Sequence, residues 1–165
     1  MSGRVVSSPV VFAAPADVEL QPAPIPADWI IDGNPQARSK RLAASADGTT
    51  TAMAWSCTPG RFNWHYRVDE TIHFISGEVF VTDEKNQTHR LGPGDMVFFP
   101  AGSHSVWHVT KEVRKFAICR HSMPRPLGFA LRAWHKVIAI LSGSSGGELD
   151  SKPAVVVHAE RASAA

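Results

Sequence analysis

The sequence predicts an all-β domain, a small antiparallel barrel, preceded by an extended proline-rich arm and followed by one α-helix. Three observations carry this prediction. Pro9, Pro15, Pro22, Pro24 and Pro26 crowd the first 27 residues, and such density blocks helix and central strand alike. From Trp29 to Cys119 short apolar or alternating stretches are separated by turn residues at regular intervals, the pattern of a sandwich or barrel. After Pro126 the apolar residues change to steps of three and four, the period of a helix.

Taken in order, residues 1–27 form the arm, laid over the barrel or over a partner subunit. The barrel domain spans residues 28–122. Its strands are punctuated by Asp47-Gly48, Pro59-Gly60, Gly77, the G-P-G-D turn of Gly92 to Asp95, and Ala101-Gly102. No helical period competes there. A helix is predicted over 126–142. Pro126 suits a first helical position, and Leu127, Leu131, Trp134, Ile138 and Leu141 share one face for packing on the barrel or a second subunit. Gly143 ends it, and residues 143–165 read as a flexible tail.

A chain of 165 residues fits one domain with tails. Its net charge of +2 gives no electrostatic case for nucleic acid or a membrane surface. Cys57 and Cys119 stand far apart in apolar runs, so they read as reduced core thiols rather than a disulfide framework. The stretch V-V-S-S-P-V-V-F-A-A (5–14) is short and interrupted for a signal-peptide core, and no run reaches membrane-span length. The expected location is the cytoplasm.

The chemistry concentrates in two blocks. The first, G-R-F-N-W-H-Y-R-V-D-E-T-I-H-F-I-S-G, runs from Gly60 to Gly77, and the second, G-D-M-V-F-F-P-A-G-S-H-S-V-W-H-V, from Gly94 to Val109. Together they resemble the two motifs of the cupin superfamily. The resemblance implies an RmlC-like jelly-roll barrel. The first family motif places two histidines one residue apart, a glutamate three or four residues later and a glycine after six more. The second ends in P-x-G-x-x-H. Side chains alternate across a strand, so two histidines at i and i+2 both point into the barrel, where a glutamate and a third histidine complete a metal site.

With four residues between histidine and glutamate, Asn63 and His65 take the two histidine positions and Glu70 the glutamate position. Ser105 takes the last, with His104 one residue early, able to serve only through a bulge. The implied metal set is therefore His65, Glu70, Asn63 and His104, suited to weakly held manganese, iron or zinc. Glu70, His65 and Tyr66 are the candidate catalytic residues, and Trp64, Ser105 and Trp107 the pocket, with Trp107 on the inner face beside Ser105. His73 and His108 should face outward. Arg114, Lys115, Arg120 and Arg125 read as a solvated basic face.

The sequence is closer still to the cupin branch that includes ureidoglycine aminohydrolase domains. The shared features are W-x-C-T-P-G (Trp55 to Gly60), F-x-W-x-Y before D-E (Phe62 to Glu70), the G-P-G-D turn, F-P-A-G, and Trp107 followed by V-R-K (Val113 to Lys115). Members of the hydrolase type act on ureidoglycine with manganese. Three functions follow as expectations: a small-molecule enzyme centred on Glu70 and His65, with or without a divalent metal; a metal-free module whose aromatic residues bind or sense a small ligand; and a structural partner protein. A homodimer is expected from the resemblance to cupins.

Overall fold

The computed structural model describes residues 10–121 together with 133, 134 and 136–138. The chain divides into two units, 1–122 and 123–165. In the second unit, residues 133, 134 and 136–138 are helical, with Trp134, Val137 and Ile138 exposed. The rest of the expected helix, the 143–165 tail and residues 1–9 of the arm lie outside the described residues.

The first unit is an all-β domain of nine strands among the described residues: β1 (Gln21–Pro22), β2 (Ile30–Gly33), β3 (Ala37–Ala44), β4 (Thr50–Cys57), β5 (Gly60–His65), β6 (Asp69–Thr82), β7 (Thr88–Leu91), β8 (Met96–Phe99) and β9 (His104–Arg120). They form one curled antiparallel sheet. One path runs β1-β3-β4-β9-β5-β2, and β6 pairs with β7, β8 and β9. The two long strands, β6 and β9, join the halves of the curl. The second half of β9 pairs with β4, its first half with β5, and β6 runs beside both halves.

The bend that lets β6 serve both halves is an irregularity between Phe74 and Val79. Gly77 sits there at φ 85°. A Cβ on it would lie 2.1 Å from the Glu112 carbonyl oxygen and 2.5 Å from the Val113 Cα. Backbone from β9 occupies the space of any side chain, so glycine is required by close approach as well as by φ.

The concave face collects the core. Ile72 and Phe74 of β6, Val79 and Val81 beyond the bend, Phe62, Trp107, Val109 and Val113 are all buried. They alternate with outward residues, so strand parity sets the burial. The arm is part of this domain. Gln21 pairs with Ser39, Leu20 and Ile25 are buried, and the Arg114 side chain donates to the carbonyl oxygens of Pro15 and Val18. The domain therefore begins before residue 28, and residues 15–25 lie on their own barrel. Apolar Leu20 and Ile25, set between the prolines, anchor the arm there.

Candidate functional site

The site is organised by the turn between β8 and β9 and by the end of β5. Tyr66 follows β5 directly. Its backbone N–H donates to the Ser103 carbonyl at 2.9 Å, and its carbonyl accepts from Gly102 N–H at 2.7 Å. Asp69 Oδ1 accepts from Ala101 N–H at 2.9 Å. The F-P-A-G-S turn is thus clamped against the start of β6, which fixes Tyr66, Glu70 and Ser105 relative to one another.

On β5 the inward face carries Phe62 and Trp64, followed by buried Tyr66, whereas His65 is exposed and Asn63 half-buried. The register explains this. Phe62 lies opposite Trp107 and Trp64 opposite Ser105, while His65 lies opposite His104. The expectation that Asn63 and His65 point into the barrel is corrected: burying Phe62 and Tyr66, with Trp64 half-buried against the core, fixes the strand one residue out of that phase. Three residues, not four, separate the second motif position from Glu70, so Trp64 and Tyr66 stand where the family motif has its histidines.

His65 is packed edge-on against Trp29, with ring centroids 4.9 Å apart, and does not join Glu70. His104 continues the regular pairing without a bulge, points outward, and its Nδ1 lies 3.1 Å from Glu84 Oε1. The four expected metal ligands His65, Asn63, His104 and Glu70 are not brought together. Among the described residues no group of three or more His, Cys, Asp or Glu side chains is placed to hold a metal ion. The donor set does not fit a manganese, iron or zinc centre.

Where a ligand cluster was expected, two polar arrangements occupy the interior. The first is Tyr66–Ser105–Trp107. Trp107 Nε1 donates to the Tyr66 hydroxyl at 2.9 Å and lies 3.1 Å from Ser105 Oγ, and the two hydroxyls are 3.1 Å apart. Tyr66 stacks on Phe99 at 4.1 Å. Burial pushes its phenol well above the ordinary range against the pull of the two hydrogen bonds, so it is neutral and donates or accepts as a hydroxyl. Ser105 and Trp107 share the inner face, and His73 and His108 face outward, as their parity implies.

The second arrangement is an ion pair. Lys115 Nζ donates to Glu70 Oε1 at 2.8 Å, with the two side chains only 3% and 11% exposed. The same ammonium lies 4.8 Å from the ring centroids of Trp55 and Trp107 and 5.7 Å from that of Trp64. Carboxylate and indole faces together compensate a buried cation. The expected solvated basic face is corrected for Lys115, which is buried, and for Arg114, which binds the arm. Arg120 is exposed, and Arg125 lies outside the described residues. The signal for Lys115 was present in the period-two run Ser105, Trp107, Val109, then Val113, Lys115, Ala117, all buried.

Glu70 and Lys115 open on a cavity of about 370 Å³. Its other lining residues include Trp55, Trp64, Met53 and Cys119, with Ala23 and Pro24 of the arm along one side. Burial raises the Cys119 thiol to about 11, with the Glu70 charge adding to the shift, and raises Cys57 to about 12. Both are unreactive thiols in the folded domain.

Residues 44–117, the span that contains this wall, match the family model of the EutQ-like cupin domain. The matched span is a cupin domain of the EutQ-like type. Among solved structures, the cupin is similar to a protein of unknown function of the DUF861 family from Pseudomonas syringae pv. tomato, at 28% identity and a TM-score of 0.58. That match covers 62% of this chain and 45% of the Pseudomonas chain, so this chain spans under half the length of that relative. It is also similar to the polyketide cyclase RemF from Streptomyces resistomycificus, at 16% identity, 70% and 82% coverage of the two chains and a TM-score of 0.52; at that identity the likeness is one of fold. A third similar structure is an ethanolamine utilization protein Q from Salmonella typhimurium, at 24% identity, 53% and 72% coverage and a TM-score of 0.47. No curated protein matches the chain. No helix among the described residues is long and apolar enough to cross a membrane.

Proposed function

We propose that this cupin is a metal-independent small-molecule binding module whose ligand enters the cavity beside Glu70 and Lys115. The observation that carries the reading is the Glu70–Lys115 pair at 2.8 Å inside a tryptophan box. The glutamate of the motif is already neutralised by an ammonium of the same chain, and Trp55 and Trp64 stand in the cavity lining. Such a site, largely apolar with a few convergent polar groups, has the make-up of a ligand pocket. Kinship with the ureidoglycine aminohydrolase-like branch is part of the proposal on the strength of its sequence features, without the manganese chemistry. The cytoplasm remains the proposed location, in keeping with two free cysteines.

The test joins metal analysis to ligand binding. Protein purified without nickel resin or chelator should contain no stoichiometric divalent metal, and a small aromatic ligand should raise its melting temperature equally before and after chelator treatment. A stoichiometric metal lost in Glu70→Ala would overturn the metal-independent reading.

We also propose a homodimer. Its support is the outer face of β8, β6 and β9, where Met96 and Phe98 are 63% and 55% exposed, Ile118 41%, and His73 and Thr71 lie between them in register. The patch carries no Lys, Arg, Asp or Glu at these positions, so a two-fold-related copy brings like against like.

A further inference from the structure

We infer that the cavity selects uncharged planar aromatic ligands that carry a hydrogen-bond donor beside an acceptor, an aryl carboxamide being the simplest form. This rests on the binding reading above and adds the ligand class.

Charge comes first. Among the described residues, the ionisable ones lining the cavity besides the neutral Cys119 thiol are Glu70 and Lys115, and they cancel within one wall. A net charge brought into such a box loses its hydration and finds no uncompensated counter-charge. An anion drawn to Lys115 meets Glu70 beside it, and a cation drawn to Glu70 meets Lys115.

The hydrogen-bonding capacity is split in the same way. Only Oε1 of Glu70 has a protein partner among the described residues. No fully buried side-chain nitrogen or oxygen there lacks one, so Oε2 keeps accessible surface and can accept an N–H from a ligand. Lys115 spends one of its three donors on Glu70, which leaves donors for a ligand carbonyl. Acceptor and donor therefore stand side by side on one wall.

Shape supplies the aromatic requirement. Trp55 and Trp64 meet at 71°, with centroids 5.8 Å apart, and form a corner in the lining. A flat ring can stack on one indole and meet the other edge-on, both favoured geometries. A cavity of about 370 Å³ suits a ligand of one ring with a short polar group.

The experiment compares three probes of nearly equal shape, benzamide, benzoate and benzylammonium, by calorimetry on the full chain. The wild type should bind benzamide at least tenfold more tightly than either ion. In Glu70→Gln the wall keeps only the positive charge and the preference should pass to benzoate. In Lys115→Met it keeps only the negative charge and should pass to benzylammonium. If the wild type binds an ion as tightly as benzamide, or either folded variant keeps the wild-type order, the ligand class is wrong while the binding module stands. If no probe binds the wild type or a folded variant, the binding reading falls with it. The wild-type comparison decides the ligand class even where a variant does not fold.

Discussion

Replacing Lys115 by methionine should cost about 3–5 kcal/mol of stability, the penalty of stranding one partner of a buried ion pair. The size follows from the geometry. At 2.8 Å the direct attraction is about 6 kcal/mol at an effective dielectric of 20. Desolvation of both groups offsets most of it while the pair is intact. Methionine preserves length and most of the packing against Trp55, Trp64 and Trp107, so the loss reads the stranded carboxylate rather than a cavity. Glu70→Gln should cost less, because the amide oxygen still accepts from Lys115 and the indole faces still hold the ammonium. The double variant should be more stable than the sum of the two losses by at least about 2 kcal/mol, since removing both charges leaves none unpaired. Urea unfolding followed by tryptophan fluorescence gives all four corners of the cycle. A Lys115→Met loss under about 1 kcal/mol, or strict additivity, would refute the claim that this pair is buried and coupled.

Gly77→Ala should lose several kcal/mol or fail to fold, because its Cβ would lie 2.1 Å from the Glu112 carbonyl oxygen; denaturant unfolding or soluble yield measures it. Stability should fall from about pH 9 upward, because burial raises Cys119 to about 11 and Cys57 to about 12 in the folded state from the ordinary 9.0. The folded state then holds protons that the unfolded chain releases, for a slope of up to about 1.4 kcal/mol per pH unit for each thiol. Tyr66, raised from 10.0, adds to the loss above pH 10, and alkaline unfolding of Tyr66→Phe and Cys119→Ser should be shallower. Arg114→Ala should speed proteolysis and amide exchange around residues 15–25, since two bonds from its guanidinium hold the arm. Met96→Lys with Phe98→Lys should halve the mass seen in light scattering without lowering secondary structure, whereas an unchanged mass would count against that face as the dimer contact.

Much of the fold was legible because turn chemistry is local. Gly77, the G-P-G-D turn and F-P-A-G each announce a backbone event that neighbouring residues cannot override. The inward placement of Ser105 and Trp107 was legible for the same reason, as they follow a fixed turn by a countable number of residues. The site itself was less so. The family spacing admits three or four residues before Glu70, and a spacing of four places His65 and Asn63 inside. The alternation Phe62, Trp64, Tyr66 against Asn63, His65, Arg67 points the other way and is what the barrel obeys, since three aromatic side chains gain far more from burial than three polar ones. Lys115 escaped because a lysine is almost never buried unless paired. Its partner stands on the neighbouring strand, with Phe74, four residues beyond Glu70, opposite Lys115 in register. That relation is tertiary, and nothing within a few residues of either one announces it.

In the proposed binding module, an ammonium standing where the cupin motif implies a metal alters more than the identity of a cation. A divalent ion beside one carboxylate leaves its wall positive and offers open coordination positions to oxygen anions. Lys115 beside Glu70 leaves the wall neutral and directional, with three indoles near the ammonium. The two Trp64 and Tyr66 positions follow suit. An imidazole at either would be a ligand for an ion, but an indole there supplies a face for Lys115 and a phenol there satisfies Trp107. Together these side chains leave no fully buried side-chain nitrogen or oxygen without a partner among the described residues. The interior is therefore a mutually dependent set, in which placing a histidine at position 64 or 66 should weaken the fold before it gains a metal.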